Sequence, residues 1–270
     1  MSKVKKERLD VLLVEKGLVT SRERAKSSIM AGLVFVDNQR VDKAGTMVPI
    51  EGNIVVTGDS IGYVSRGGLK LAKALEHFSI DLTDKVMADI GASTGGFTDC
   101  ALKNGVIRVY AIDVGYGQLA WSLRTDSRVI NMERTNIRNV TTADLGQPLD
   151  FASIDVAFIS LTKVLPVVKT LLAEEGTVVA LIKPQFEAGR AKVGKKGVVK
   201  DPLVHIEVIT NIVNASLELG FMPIGLTYSP VKGPEGNIEY LIYLANFANE
   251  MVINTGTIEQ IVKEAHDNAV

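Results

Sequence analysis

The sequence has a single cysteine, Cys100, in 270 residues. No internal disulfide can form, and such a chain suits a reducing compartment. Long apolar runs are also missing. The stretches 11–14 and 177–182 fall far short of the roughly 20 residues that cross a bilayer, and they read as pieces of a buried helix and a buried strand. Residues Met1 to Asp10 are charged and lack the apolar centre of a signal peptide. These absences predict a cytoplasmic protein without a membrane span. There is no internal repeat and no low-complexity tract, so repeat architectures are not expected.

What is present is ordinary globular composition, 46% hydrophobic and 23% charged, which argues against disorder as the main state. The length suits one large domain, or a small one joined to a medium one. The net charge of −1 conceals an asymmetry. Residues 1–45 hold ten Lys and Arg against six Asp and Glu, whereas residues 247–270 hold one Lys against four acids. A basic N-terminal block is the electrostatic footprint of an anionic partner such as nucleic acid.

That block reads as two short helices followed by strands. Arg8-Leu9-Asp10-Val11-Leu12-Leu13-Val14 has helical apolar spacing, with Gly17 as its stop. Thr20 or Ser21 would cap a second helix that places Glu23 in its first turn, turns Ala25, Ile29 and Met30 inward, and ends at Gly32. Arg22, Arg24 and Lys26 would form its outer face. Leu33-Val34-Phe35-Val36, a turn at Asp37-Asn38, and Val41 give a hairpin signal, and Val48-Pro49 and Ile54-Val55-Val56 continue in strand character. The glycine-rich stretch 62–68 reads as a linker between domains at 1–61 and 69–247. Residues 248–270 form a tail with helical spacing at Ile258, Ile261, Val262 and Ala265.

After the linker, strands alternate with helices. Strands are expected at 86–90, 109–112, 129–132, 154–158 and 177–182. A helix over 96–104 ends at Gly105, and a long one is capped by Asp201, opened by Pro202 and stopped by Gly220. Two final strands, 224–228 and 240–245, would make an antiparallel edge. The pattern predicts an α/β fold with a mostly parallel, doubly wound, Rossmann-like sheet.

Within it, Asp89-Ile90-Gly91-Ala92-Ser93-Thr94-Gly95-Gly96-Phe97 runs from a strand through a glycine turn into a helix. Glycines allow a sharp bend and close approach of a ligand to the backbone. The next strand ends in Asp113, placed to accept hydrogen bonds from a ribose diol. A dinucleotide usually requires Gly-x-Gly-x-x-Gly; here the spacing is Gly-x-x-x-Gly-Gly with Asp89 before it. An acid there suits the amino group of a methionine moiety better than a pyrophosphate. S-adenosylmethionine is therefore favoured over NAD, with a NAD-dependent oxidoreductase as the alternative. No metal site is expected.

Four polar residues fall in or beside apolar segments. Asp155 lies early in Ile154-Asp155-Val156-Ala157-Phe158-Ile159, Lys183 ends Val178-Val179-Ala180-Leu181-Ile182, Glu239 precedes Tyr240-Leu241-Ile242-Tyr243-Leu244, and Lys70 sits on a helix expected at 69–78. Ligand sites in open α/β sheets form at the carboxyl ends of the strands. Lys183 is at such an end; Asp155 would need its strand to stop or bend there.

The chain resembles the TlyA or hemolysin A family, which joins an S-four-type RNA-binding domain to an FtsJ-like ribose methyltransferase domain. The resemblance is carried by Ser21-Arg22-Glu23-Arg24-Ala25, Ala31-Gly32-Leu33-Val34, Ser65-Arg66-Gly67-Gly68-Leu69-Lys70-Leu71, the stretches 89–97 and 155–161, Ile182-Lys183-Pro184-Gln185-Phe186, and Glu239. It implies a small α+β RNA-binding domain and cytidine 2′-O-methylation of ribosomal RNA in one or both subunits. The family's Lys-Asp-Lys-Glu tetrad falls on Lys70, Asp155, Lys183 and Glu239. The cofactor would be held by Asp89, Gly91, Ala92, Ser93, Thr94, Gly95, Gly96, Phe97, Asp113 and Asp155. RNA would meet Arg8, Arg22, Arg24, Lys26 and Arg66, and the loop bearing Arg190, Lys192, Lys195 and Lys196. Lys183 is expected as general base, which requires its amine to be neutral. The hemolysin label raises membrane damage as a further reading, opposed by the lack of a spanning segment and of a strongly amphipathic basic helix.

Overall fold

The structure is a computed structural model that describes residues 5–16, 18–19, 22–56, 62–247 and 253–268. The expected helix stop at Gly17 and the caps at Thr20 or Ser21 lie outside the described residues. Two compact units divide at Gly68 and Leu69.

In the first unit, β1 (Lys6–Arg8) leads into α1 (Leu9–Glu15), followed by α2 (Arg22–Met30), β2 (Val34–Val36), β3 (Gln39–Arg40), β4 (Met47–Pro49) and β5 (Ile54–Val56). β1 pairs antiparallel with β4, while β2 lies between β3 and β5. The hairpin turn is made by Asp37 and Asn38, both at positive φ, the chemistry that a two-residue turn between twisted strands requires. Leu9, Leu12, Leu13, Ala25, Ile29, Val34, Val36, Val48 and Ile54 form its core. Met30, expected inward, is exposed. It is the last residue of α2, and the inward face is made by Ala25, Ser28 and Ile29, with Met30 turned about 100° past Ile29.

The second unit follows the expected alternation. Its elements are α3 (Gly67–His77, opening at the division), β6 (Val86–Ile90), α4 (Gly96–Lys103), β7 (Arg108–Ile112), α5 (Trp121–Arg124), β8 (Val129–Met132), α6 (Thr142–Leu145), β9 (Leu149–Ile154), α7 (Leu165–Leu171), β10 (Leu172–Ile182), α8 (Pro184–Glu187), α9 (Pro202–Glu218), β11 (Met222–Tyr228), β12 (Tyr240–Ala245) and α10 (Thr255–Asn268). The seven strands are ordered β11-β12-β10-β9-β6-β7-β8. The five from β10 to β8 are parallel, and β12 runs antiparallel to both β10 and β11.

Side chains alternate across the sheet. Val86, Ala88 and Ile90 of β6 join Val168 of α7, Ile209 of α9 and Val262 of α10 in one core. On the other face, Phe78 just after α3 stacks on Tyr243 of β12 at 5.3 Å. The sheet is thus covered on both sides. α9 starts as its sequence dictates: the Asp201 side chain accepts the Leu203 N–H and Pro202 takes the first helical position.

One strand is shifted from expectation. The stretch 154–158 was expected to be extended, but β9 is Leu149–Ile154 and ends just before Asp155. The polar residues that disguise β9 have tertiary partners: Asp150 accepts the Val86 N–H at 2.8 Å, and the Ser153 hydroxyl faces Asp89. The chain leaves the sheet at Asp155, which is what a residue at a ligand-binding strand end requires.

Candidate active site

The chain builds β6 first, adds β7 and β8 on one side, then returns to place β9 on the other. The carboxyl ends of β6 and β9 therefore border the point where strand order reverses, the usual crevice for a ligand in an open α/β sheet. The glycine turn 91–95 leaves β6 there. Gly91 has φ +86°, and a Cβ on it would sit 2.4 Å from the carbonyl oxygen of Asp155. Gly95, at φ +96°, lies under Leu119 and Leu123, and a Cβ on it would fall 2.3 Å from Leu123 Cδ1. Both positions exclude side chains by conformation and by contact.

Asp113 at the end of β7 accepts the backbone N–H of Ser93 and of Gly115, each at 2.7 Å. It remains part-exposed beside the glycine turn. Trp121, the chain's one tryptophan, opens α5 with an exposed ring, and the Ala120 N–H before it donates to Thr94 of the turn.

Two residues expected to touch the cofactor are placed otherwise. Asp89 is buried, and its Oδ2 accepts the Thr98 N–H at 2.9 Å and the Thr98 hydroxyl at 2.7 Å, with the Ser153 hydroxyl at 3.4 Å from Oδ1. It holds the start of α4 instead of presenting itself to an amino group. Burial, with Asp155 adding repulsion, pushes its carboxyl up to about 7, against the Thr98 hydrogen bonds. Phe97 is also buried and belongs to the packing of α4.

The structure brings the four tetrad residues together. Lys183 Nζ lies 2.5 Å from Asp155 Oδ1. Asp155 Oδ2 lies 3.8 Å from Lys70 Nζ, which in turn donates to Glu239 Oε2 at 2.6 Å. Cations and carboxylates thus alternate along one line drawn from four different elements. Glu239 and Lys70 form its buried end, while Asp155 and Lys183 are the more open members. Gln185 donates to Glu239 Oε1 at 3.4 Å, and Gly233 backs the same oxygen so closely that a Cβ would fall 2.2 Å from it.

The sequence reading missed an aromatic pair beside this line. Phe158 is 90% exposed at φ +63°, and its ring centroid lies 4.9 Å from that of Phe186. Lys183 Nζ is 6.0 Å from the Phe186 ring. A bulky side chain at positive φ and nearly full exposure is unusual on both counts. Its placement in an expected strand hid both features. Also missed was Arg134, stacked on Tyr116 at 4.1 Å next to the Asp113 loop.

The expected RNA contacts are dispersed. Arg22 and Lys26 are exposed on α2, whereas Arg24 and Arg66 are half-buried. Arg8 and Arg22 both bind Asp10. Lys192 pairs with Glu207 on the exposed surface, so its charge is partly neutralised. Lys195 and Lys196 project from a closed turn in which the Gly197 N–H donates to Gly194 O. That turn is tied down by buried Asn237, whose amide donates to Gly197 O at 3.0 Å and whose oxygen accepts the Val199 N–H at 3.3 Å. No described helix is long and apolar enough to cross a membrane.

Such a sheet, with a glycine turn at its reversal point and a Lys-Asp-Lys-Glu line beside it, defines a methyltransferase of the Rossmann-like class, and comparison with known proteins agrees. Residues 63–246 match the FtsJ-like methyltransferase family and residues 7–55 match the S4 domain. The chain belongs to the FtsJ-like methyltransferases, in the TlyA and hemolysin A group that carries an N-terminal S4 domain. It is 52% identical to YqxC of Bacillus subtilis, a candidate rRNA methyltransferase, over 97% of this chain and 95% of that one. It is 43% identical to the 16S/23S rRNA (cytidine-2′-O)-methyltransferase TlyA of Mycobacterium tuberculosis, over 88% and 89%. A solved structure titled as a candidate hemolysin from Streptococcus thermophilus superposes with a TM-score of 0.79 at 44% identity, covering 98% of this chain and 97% of that one.

Proposed function

We propose that this chain methylates the ribose 2′-hydroxyl of cytidine in ribosomal RNA, in the cytoplasm, with S-adenosylmethionine as donor. The observation that carries the reading is the continuous Lys183–Asp155–Lys70–Glu239 line beside the glycine turn. The M. tuberculosis relative's name states the same reaction.

The residues present fit the cofactor. The glycine turn and part-exposed Asp113 flank the crevice, with Asp113 suited to a ribose diol and the turn, from Gly91 to Gly96, to a close backbone contact. They fit a dinucleotide less well. The Thr98 N–H in the first turn of α4, where a pyrophosphate would sit, is already bound by buried Asp89. When bound, S-adenosylmethionine supplies an electrophilic methyl group on its sulfonium.

The chain's own residues then have separable tasks. A ribose hydroxyl must lose its proton as it attacks. Lys183 Nζ, at the open end of the line, takes that proton once it has released its own ammonium proton to solvent, so that a neutral amine faces the hydroxyl. Asp155 holds Lys183 and orients the incoming hydroxyl. Lys70 and Glu239 neutralise one another at the closed end and fix Asp155 from behind. Phe158, exposed beside Lys183, offers a face on which an unstacked base can lie. The basic residues Arg8, Arg22, Arg24, Lys26, Arg66, Arg190, Lys195 and Lys196 engage phosphates, with Lys192 contributing less because of Glu207.

Lys183→Ala should abolish methyl transfer and leave S-adenosylmethionine affinity within a few-fold. Mapping 2′-O-methyl positions in ribosomal RNA from cells with the wild type, the variant or neither is the direct test. A cytidine methylation that persists without the protein, or normal turnover by the variant, removes the proposal.

A further inference from the structure

Asp10 is a carboxylate with no access to solvent in the small N-terminal unit. Arg8 grips it with two nitrogens, Nε to Oδ1 at 2.9 Å and Nη2 to Oδ2 at 3.1 Å. Arg22, from the start of α2, adds Nη2 to the same Oδ2 at 3.0 Å. The two guanidiniums thus meet on one oxygen, closer than their mutual repulsion would permit without the carboxylate beneath them. The outer sides of both remain open, with side chains 46% and 57% exposed.

The hydrogen bonds and charges of the two arginines outweigh the desolvation of the carboxylate and hold Asp10 down at about 2, so it stays ionised beneath them. The arrangement also supplies geometry. Two planar forks, each with donors left over, are held side by side with a net charge of +1. That is the shape and sign that an RNA phosphate needs from a pair of arginines.

We propose that Asp10 is a positioning residue for RNA, holding Arg8 and Arg22 as one preformed clamp on the sugar–phosphate backbone. The inference rests on the reading of this unit as RNA-binding. It makes a prediction opposite in sign to simple charge counting. Asp10→Asn removes a negative charge from a surface meant for a polyanion, so Coulomb attraction alone would tighten binding. If Asp10 acts by orientation, the released guanidiniums scatter and binding weakens.

The test is binding of the full chain to a labelled transcript of 23S ribosomal RNA, titrated from about 50 to about 200 mM salt. Asp10→Asn should weaken binding about tenfold or more at the lower salt. The slope of log affinity against log salt should become shallower by about one to two phosphate contacts. A fold defect that leaves the clamp intact would not alter that slope. Equal or tighter binding by a folded Asp10→Asn protein overturns the proposal. Should that variant fail to fold, the Arg8→Lys, Arg22→Lys double variant decides: it keeps the charge and loses the forks, so weaker binding sustains the inference and unchanged binding ends it. Absence of salt-dependent binding by the wild type would instead bring down the RNA reading, and this inference with it.

Discussion

Lys70 and Glu239 should respond unequally to the loss of each other. At 2.6 Å, and with an effective dielectric near 20, their attraction is about 6 kcal/mol; that between Lys70 and Asp155 at 3.8 Å is about 4 kcal/mol. These gross terms are offset by desolvation, but they rank the partners. Glu239 is fully buried, and among the described residues Lys70 is its one cationic partner. Lys70→Met therefore strands a buried carboxylate and should cost about 3–5 kcal/mol. Glu239→Gln leaves Lys70 with Asp155 and preserves the shape of the site, so about 1–3 kcal/mol is expected. The double variant removes both charges and should cost less than the sum of the singles by about 2 kcal/mol or more. Urea unfolding of the four full-length proteins, followed by far-UV circular dichroism, measures the cycle. A Glu239→Gln cost equal to or above that of Lys70→Met, or strict additivity, would refute the ordering of the line from a closed end to an open one.

Three other perturbations separate packing from chemistry. Asp89 titrates near 7 when folded against an ordinary 3.8, so the folded chain holds the extra proton between those values and stability should fall as pH rises through that window; Asp89→Asn should flatten this by up to about 4 kcal/mol, and parallel thermal-melting profiles for both proteins would contradict the assignment. Phe158→Gly relieves a left-handed residue and should stabilise the fold by about 1 kcal/mol, yet raise KM for RNA several-fold; an unchanged KM would remove Phe158 from substrate contact. Gly91→Ala drives a methyl group into the Asp155 carbonyl oxygen, so it should lower the melting temperature and reduce turnover together, checked by calorimetry and a methyl-transfer assay; a variant with wild-type turnover would show that the turn is not coupled to Asp155.

Much of this was legible in the residues. The boundaries of β6, β8 and β12 coincide with the expected runs, because each is a short apolar-rich stretch bounded by charged, polar or glycine residues (Lys85 and Gly91, Arg128 and Glu133, Glu239 and Asn246). α9 announces itself by Asp201-Pro202, and the hairpin by Asp37-Asn38. What was not legible depended on partners distant in the chain. Asp150 and Ser153 make β9 look too polar until Val86 and Asp89 are seen beside them. Asp89 reads as a ligand-binding acid until Thr98 folds back onto it. The tetrad could be nominated from polar residues in apolar surroundings, but its linear order, with Lys70 bridging two carboxylates, is a property of the assembled sheet. Phe158 gave no signal, since a left-handed exposed phenylalanine and a strand-core phenylalanine have the same letter.

The antiparallel insertion of β12 between β10 and β11 has a consequence for timing. Glu239 enters the site 169 residues after Lys70, delivered by a strand that pairs with neighbours on both sides. A nascent chain that has emerged only as far as α9 carries three of the four groups, with Asp155 left as the one carboxylate of the line shared between Lys70 and Lys183. The closed end of the line is therefore completed only by the final strand of the sheet, so the longest-range contact of the site and the last sheet pairing are one and the same event.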